Sequence, residues 1–332
     1  MKHDDTTITD WVDDDWDDPR AATDFDRDGM IPDLRRWSHQ ILIGLGVVAA
    51  IVVGWAAWRT AALVGNDVSQ DVVGSGSTAA TVVEVVFPEG FTVAQVAERI
   101  ARDVPNMTAP RVIAALNEGT LPAPWRPEGI ASYEGLLFPA LYEVASYEDE
   151  RSIVDRMINE MRNRTLRLDI EAGAAKLGIT PYEVLIIASL IEREVKVADE
   201  RALVSRVIHN RLALDMELQI DAALYYGALP SASFSELRNA DSPYNLYRRK
   251  GLPPTPIASP GEASIVAALN PAADPTDGDD ICTSRTPAQR RNEPCRYLFY
   301  VLADAEGRHA FSATYAQHEA RIADARAAGV LP

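Results

Sequence analysis

Leu185–Glu194, LIIASLIERE, is the stretch on which the reading of this chain turns. Apolar residues run nearly unbroken to Ile191, and Glu192 follows at the end of the run. Thr180-Pro181-Tyr182-Glu183 supplies a strong helix start upstream, with a Thr cap, Pro at the first helical position and Glu at the third. The segment therefore reads as a helix with an apolar body and a carboxylate at its end. An ionised carboxylate beside apolar surface reaches water, finds a cation, or holds its proton more tightly. In the last case it is a candidate general acid. The purely structural alternative is a helix that has reached solvent, with Glu192 pairing with Lys196 one turn on.

Working outward, Thr81–Phe87 reads as a strand and Pro88-Glu89-Gly90 as a turn. Thr92 and Gln95 form a capping box that opens a helix to about Asp103, and a short helix follows over Pro110–Asn117. Ser132–Val144 alternates aromatic, acidic and apolar residues around Pro139, as an irregular strand and hairpin would. Helical spacing returns through Ile153, Met157, Ile158 and Met161. Past the decisive stretch, a helix is expected over Glu200–Leu212. Ser259-Pro260-Gly261-Glu262 repeats the cap, proline and acid pattern for another, with Ser259 as the cap. Tyr297–Leu302 reads as a buried strand, His309–Ala313 as its hairpin partner and Tyr315–Ala328 as a terminal helix. Helices and strands mix without regular alternation, so the fold class is α+β.

The formal net charge is −17, and residues 1–34 contribute −9 of it through twelve Asp against three Lys or Arg. An acidic chain without a basic patch is a poor partner for phosphate backbones, which argues against nucleic acid. Residues 1–38 read as a disordered acidic tail. Ile41–Trp58 holds 18 residues without a charge, enough to cross a hydrocarbon core, and residues 39–64 are read as a transmembrane helix. Arg35 and Arg36 precede the span and only Arg59 follows closely, so the tail is placed in the cytoplasm and the rest outside. Trp37 suits a membrane interface. Residues 65–80 are a Gly- and Ser-rich linker.

Cys282 and Cys295 flank a polar stretch, and in an oxidising compartment that spacing suits a disulfide over an exposed loop. Two cysteines are too few for a tetrahedral zinc site, and His3, His39, His209, His309 and His318 lack ligand spacing, so neither metal nor cofactor is expected.

Several blocks then converge on one family. ASLIEREV at 188–195 resembles the signature of the endolytic murein transglycosylases, the MltG (YceG-like) family. So do EGLLFPALYEV at 134–144, NRLALDMELQIDAALYYG at 210–227, the SPYNLYRRKGLPPTPIASPGEASIVAALNP block at 242–271, and YLFYV with the His309–Phe311 segment. The chain departs from the pattern at Asp215, Glu217, Ile220 and Ala222, which alters the loop and its sugar contacts. The Cys282–Cys295 insertion is also outside the core pattern.

The resemblance implies a membrane-anchored protein with a small LysM-like subdomain at 81–136 and a catalytic domain at 137–328. It implies cleavage of peptidoglycan glycan strands between N-acetylmuramic acid and N-acetylglucosamine to leave 1,6-anhydro ends, near cell-wall synthases. The family's catalytic Glu falls on Glu192. Gln219, Asp221, Tyr226, Tyr244 and Asn245 fall in matched blocks and are read as cleft-lining groups for the glycan. Asp221 and Asn245 are also good turn residues. Glu194, about 200° around the helix from Glu192, is expected to make a structural pair in preference to a catalytic role. Two other readings are a non-catalytic peptidoglycan-binding scaffold and a hydrolase with Asp221 as its second carboxylate.

Overall fold

The computed structural model describes residues 81–331 except Gly119, Thr120, Pro122, Pro230 and Ser284. The acidic tail, the apolar segment 39–64 and the linker all lie outside the described residues.

Strand β1 (Val82–Val86) leads through the Pro88–Gly90 turn into α1 (Val93–Asp103). Thr92 caps that helix reciprocally: its Oγ1 accepts from Gln95 N, and Gln95 Oε1 accepts from Thr92 N at 2.9 Å. Helix α2 (Ala109–Asn117) follows, then strand β2 (Leu141–Ala145). β2 pairs with β1 antiparallel, Val82 opposite Ala145 and Val86 opposite Leu141. The expected hairpin around Pro139 is thus replaced by a long-range pairing. Tyr142 and Val144 alternate inward, which is the period of two that a half-buried strand requires.

Helices α3 (Glu150–Arg167), α4 (Ile170–Leu177) and α5 (Pro181–Glu194) come next. A short 3-10 turn (Ala198–Glu200) precedes α6 (Arg201–Ala213), and α7 (Asp221–Tyr225) and α8 (Phe234–Asn239) are single short turns of helix. Helix α9 (Glu262–Leu269) packs along α5 and α6. Helices α10 (Asp280–Thr283) and α11 (Pro287–Asn292) lie in the segment around the Cys282–Cys295 disulfide. Strands β3 (Phe299–Leu302) and β4 (His309–Ser312) form an antiparallel hairpin, and α12 (Tyr315–Ala327) packs on it.

α5 is the axis of the core: every residue from Val184 through Ile191 is buried. At about 1.5–3 kcal/mol for each fully buried aliphatic side chain, this helix is a principal source of stability. The core runs continuously from Val85 and Phe87 through α1, α3 and α5 to α9. Among the described residues no single helix is long and apolar enough to span a membrane. The bent pair of α4 and α5 matches by composition, and burial in this core accounts for its apolar character. Tyr297–Leu302 was expected to be buried, yet all four β3 residues are only partly buried, because a two-stranded hairpin leaves both of its strands at an edge.

Candidate active site

The last turn of α5 sends three side chains in three directions, as steps of about 100° per residue require. Glu192 Oε2 accepts from Gly261 N at 2.9 Å. Gly261 is the N-cap of α9 and offers no side chain for capping, so a carboxylate from another helix satisfies one of its open amides at the positive end of the helix dipole. Ser259, expected as that cap, is instead tied by its backbone to the β1–α1 turn. Its N–H donates to Phe91 O and its carbonyl accepts from Gly90 N, both at 2.8 Å. Its buried hydroxyl has no hydrogen-bond partner among the described residues. Glu89 crowds the same spot: a Cβ at Gly261 would lie 1.8 Å from Glu89 Oε1. Burial, and then the charge of Glu192, push the Glu89 carboxyl upward. Arg193 Nη1 donates to Gly90 O at 3.3 Å. Glu192 therefore sits in a joint between α5, α9 and the β1–α1 turn.

Glu194 points elsewhere. Its Oε1 accepts from Ala222 N at 3.2 Å and its Oε2 from the Tyr300 hydroxyl at 3.0 Å. The partners of Glu194 are thus an amide and a phenol, neither of them a cation. Burial pushes this carboxyl up to about 7, and the nearby Asp221 charge acts in the same direction. The Ala222 amide, the Tyr300 hydroxyl and Arg193 oppose that rise without cancelling it. The result is a carboxyl poised near neutrality that still keeps a partly exposed surface. Such a group can deliver a proton and take one back.

The other predicted residues divide. Asp221 is beside Glu194 and accepts a hydrogen bond from the Tyr247 hydroxyl; burial pushes its carboxyl up as well. Tyr226 and Tyr244 are half-exposed neighbours with ring centroids 4.7 Å apart. The Tyr244 hydroxyl bonds Thr255 Oγ1 at 2.8 Å, and the Tyr226 hydroxyl donates to Glu134 Oε2 at 3.1 Å. Gln219 is exposed, in the left-handed region at φ 54°, and its backbone N–H donates to Leu246 O. Asn245 differs: it is 0 % exposed. Its Nδ2 reaches the carbonyls of Leu237, Arg238 and Ala240, and its Oδ1 accepts from Tyr247 N. It stabilises the loop and presents nothing to a ligand. Among the described residues no group of His, Cys, Asp and Glu is placed to hold a metal ion. A cavity at the open end of β1 and β2, lined by Thr81, Asn106 and Ser146 among others, contains none of these residues.

Sequence reasoning passed over Tyr300 and Tyr247. Both lie in blocks already quoted, but nothing in their spacing reports that their hydroxyls meet carboxylates of α5 and α7.

Comparison with known proteins agrees with this architecture. The profile of the YceG-like family matches residues 63–277. An endolytic murein transglycosylase from Streptococcus pneumoniae is 32% identical over 215 residues, covering 56% of this chain and 38% of the relative. One from Bacillus subtilis is 30% identical over 255 residues, covering 71% of this chain and 63% of the relative. The chain thus spans between about two fifths and two thirds of the length of these curated relatives. The crystal structure of a YceG-like protein from Listeria monocytogenes superposes with a TM-score of 0.59 at 26% identity, covering 71% of this chain and 75% of that one. On the extent of the family match and the shared fold, the chain belongs to the YceG-like family.

Proposed function

We propose that this protein is an endolytic lytic transglycosylase of peptidoglycan and that Glu194, rather than Glu192, is its general acid and base. The observation that carries the choice is the contrast between two carboxyls on one helix turn. Glu192 is engaged as the remote cap of α9, whereas Glu194 is poised near neutrality among a tyrosine, an amide and a second acid.

In the proposed reaction, protonated Glu194 gives its proton to the glycosidic oxygen as the bond from the anomeric carbon to that oxygen breaks. The muramic sugar's own 6-hydroxyl bonds to the anomeric carbon, and its proton passes to the Glu194 carboxylate, which restores the acid. No water is consumed. Because the nucleophile belongs to the substrate and is already held nearby, one carboxyl suffices where hydrolases need two. Tyr226, Tyr244 and Gln219 are the side chains offered to the glycan. The curated relatives' name, endolytic murein transglycosylase, supports the substrate class. The apolar segment at 41–58 would anchor the domain to the membrane with its active face outside, near synthases of nascent strands. The unit at 81–136 would hold glycan as a LysM-like module.

The proximity of Asp221 to Glu194 favours, as a second reading, a hydrolase in which Asp221 activates water. One assay separates these readings. The full chain is incubated with purified glycan strands and the new ends are read by mass spectrometry, with Glu194→Gln and Glu192→Gln alongside. Ends lighter than hydrolysis products by one water, abolished in Glu194→Gln and retained in Glu192→Gln, are the expected result. Loss only in Glu192→Gln would return the acid to that residue. Hydrated ends would favour the hydrolase, and binding without cleavage a scaffold.

A further inference from the structure

Tyr300 occupies the middle of the short hairpin of β3 and β4, opposite Phe311. The hairpin is clamped at both ends by α6 and the turn before it. At the leading end Asn210 Nδ2 donates to Tyr297 O at 2.9 Å and Arg211 Nε to Leu298 O at 2.6 Å. The Arg211 guanidinium also lies 5.0 Å over the Phe299 ring. At the far end Glu200 accepts from His309 N at 3.0 Å and meets His309 Nδ1 at 2.7 Å. Glu200 is only 6% exposed, so that junction is shielded from competing water. Between the clamps the Tyr300 ring meets His309 edge-on at 5.2 Å and Phe311 at 6.1 Å. A ring held in this way projects its hydroxyl 3.0 Å from Glu194 Oε2.

We infer that Tyr300 is a positioning residue for Glu194: the doubly clamped hairpin presents its phenol so that it aims the carboxyl and stabilises the ionised form left after proton delivery. The inference rests on the reading of Glu194 as the acid. A hydrogen bond to a carboxylate is stronger than one to the neutral acid, so the phenol's contribution grows as the proton leaves. A hairpin that needed only packing at this point would be served equally by a phenylalanine ring. Burial holds the phenol far above its usual ionisation range, so it is a donor throughout. The other charged and titratable groups around this pair are Asp221 on α7, Arg193 on α5, Tyr247 in the loop after α8, Arg211 on α6, and His309 on β4 with its partner Glu200.

The test is the pH profile of glycan cleavage by the full chain carrying Tyr300→Phe. The expected result is kcat lower by roughly tenfold, KM within about twofold, and the alkaline limb moved up by about one pH unit, because the carboxylate loses a donor. Glu200→Gln, which loosens the far clamp, moves the limb in the same direction by less. That effect vanishes in the Tyr300→Phe background, since the clamp acts through the phenol. An unshifted limb, a clamp effect that persists without the phenol, or a Tyr300→Phe chain that no longer folds would each overturn the inference. Undiminished cleavage by Glu194→Gln would instead overturn the assignment of the acid, so the two failures are distinguishable.

Discussion

Glu134 allows the sharpest test of how this core handles charge, and the substitution is Glu134→Gln. The side chain is 3% exposed. Its carboxylate accepts from Val93 N, at 3.0 Å to Oε1 and 3.3 Å to Oε2, and from the Tyr226 hydroxyl at 3.1 Å. These bonds and the Gly135 amide favour the charged form, but burial outweighs them and pushes the group from 4.5 to about 7. The folded state therefore holds a proton that the unfolded chain releases near its ordinary value. The stability this group contributes is fully present below 4.5 and is lost as pH rises through about 7. At about 1.4 kcal/mol per pH unit, the loss is ~3 kcal/mol across that window.

Glutamine is a neutral stand-in for the protonated acid: its carbonyl keeps the Val93 amide satisfied, while its NH2 turns the Tyr226 hydroxyl into an acceptor. Wild type and variant should match to within about 1 kcal/mol near pH 4, and the variant should be the more stable by ~3 kcal/mol near pH 8. Denaturant unfolding of the full chain in detergent at both pH values measures this. Glu194 also titrates in that window, but it is present in both proteins and cancels from the difference. Parallel stability curves for the two proteins would refute the argument, because they would mean that the buried carboxyl is ionised at no net cost.

Two further substitutions probe the scaffold around the site. Gly135 has φ 74°, and a Cβ there would lie 2.4 Å from Pro256 Cβ, so Gly135→Ala should destabilise by about 2–4 kcal/mol in denaturant unfolding. Asn245→Ala removes the Nδ2 donors that tie its loop to the carbonyls at the C-terminal end of α8 and should cost about 2–3 kcal/mol. It should lower glycan cleavage only in proportion to unfolding, which activity measured below the melting transition would show.

The elements built on local signals were legible. The capping boxes at Thr92 and Thr180 announce their helices because both partners lie within three residues, and the apolar run of α5 announces burial directly. What escaped depends on residues far apart in the chain. The partner of β2 is β1 rather than a neighbouring hairpin arm, a choice made by the shared core of Val85, Phe87, Tyr142 and Val144. Ser259 carries a strong capping signature, but the chain at 259–261 is committed to the β1–α1 turn and to Glu192, and the helix starts two residues later. A local pattern yields there to a tertiary hydrogen bond.

The same distinction governs the site. In the sequence Glu192 and Glu194 are near-equivalent acids at the end of an apolar helix, and periodicity says only that they face different ways. What separates them is supplied by Gly261, Ala222 and Tyr300, lying 69, 28 and 106 residues further along the chain. A backbone amide at the start of α9 holds the Glu192 carboxyl, which suits a structural joint. Burial beside Asp221 works against the carboxylate, and only the Ala222 amide, the Tyr300 phenol and Arg193 keep that penalty in check. A general acid requires this balance of opposing effects. Environment therefore singles out Glu194, and removing the Tyr300 hydroxyl should disturb Glu194 while leaving the contact of Glu192 with Gly261 in place.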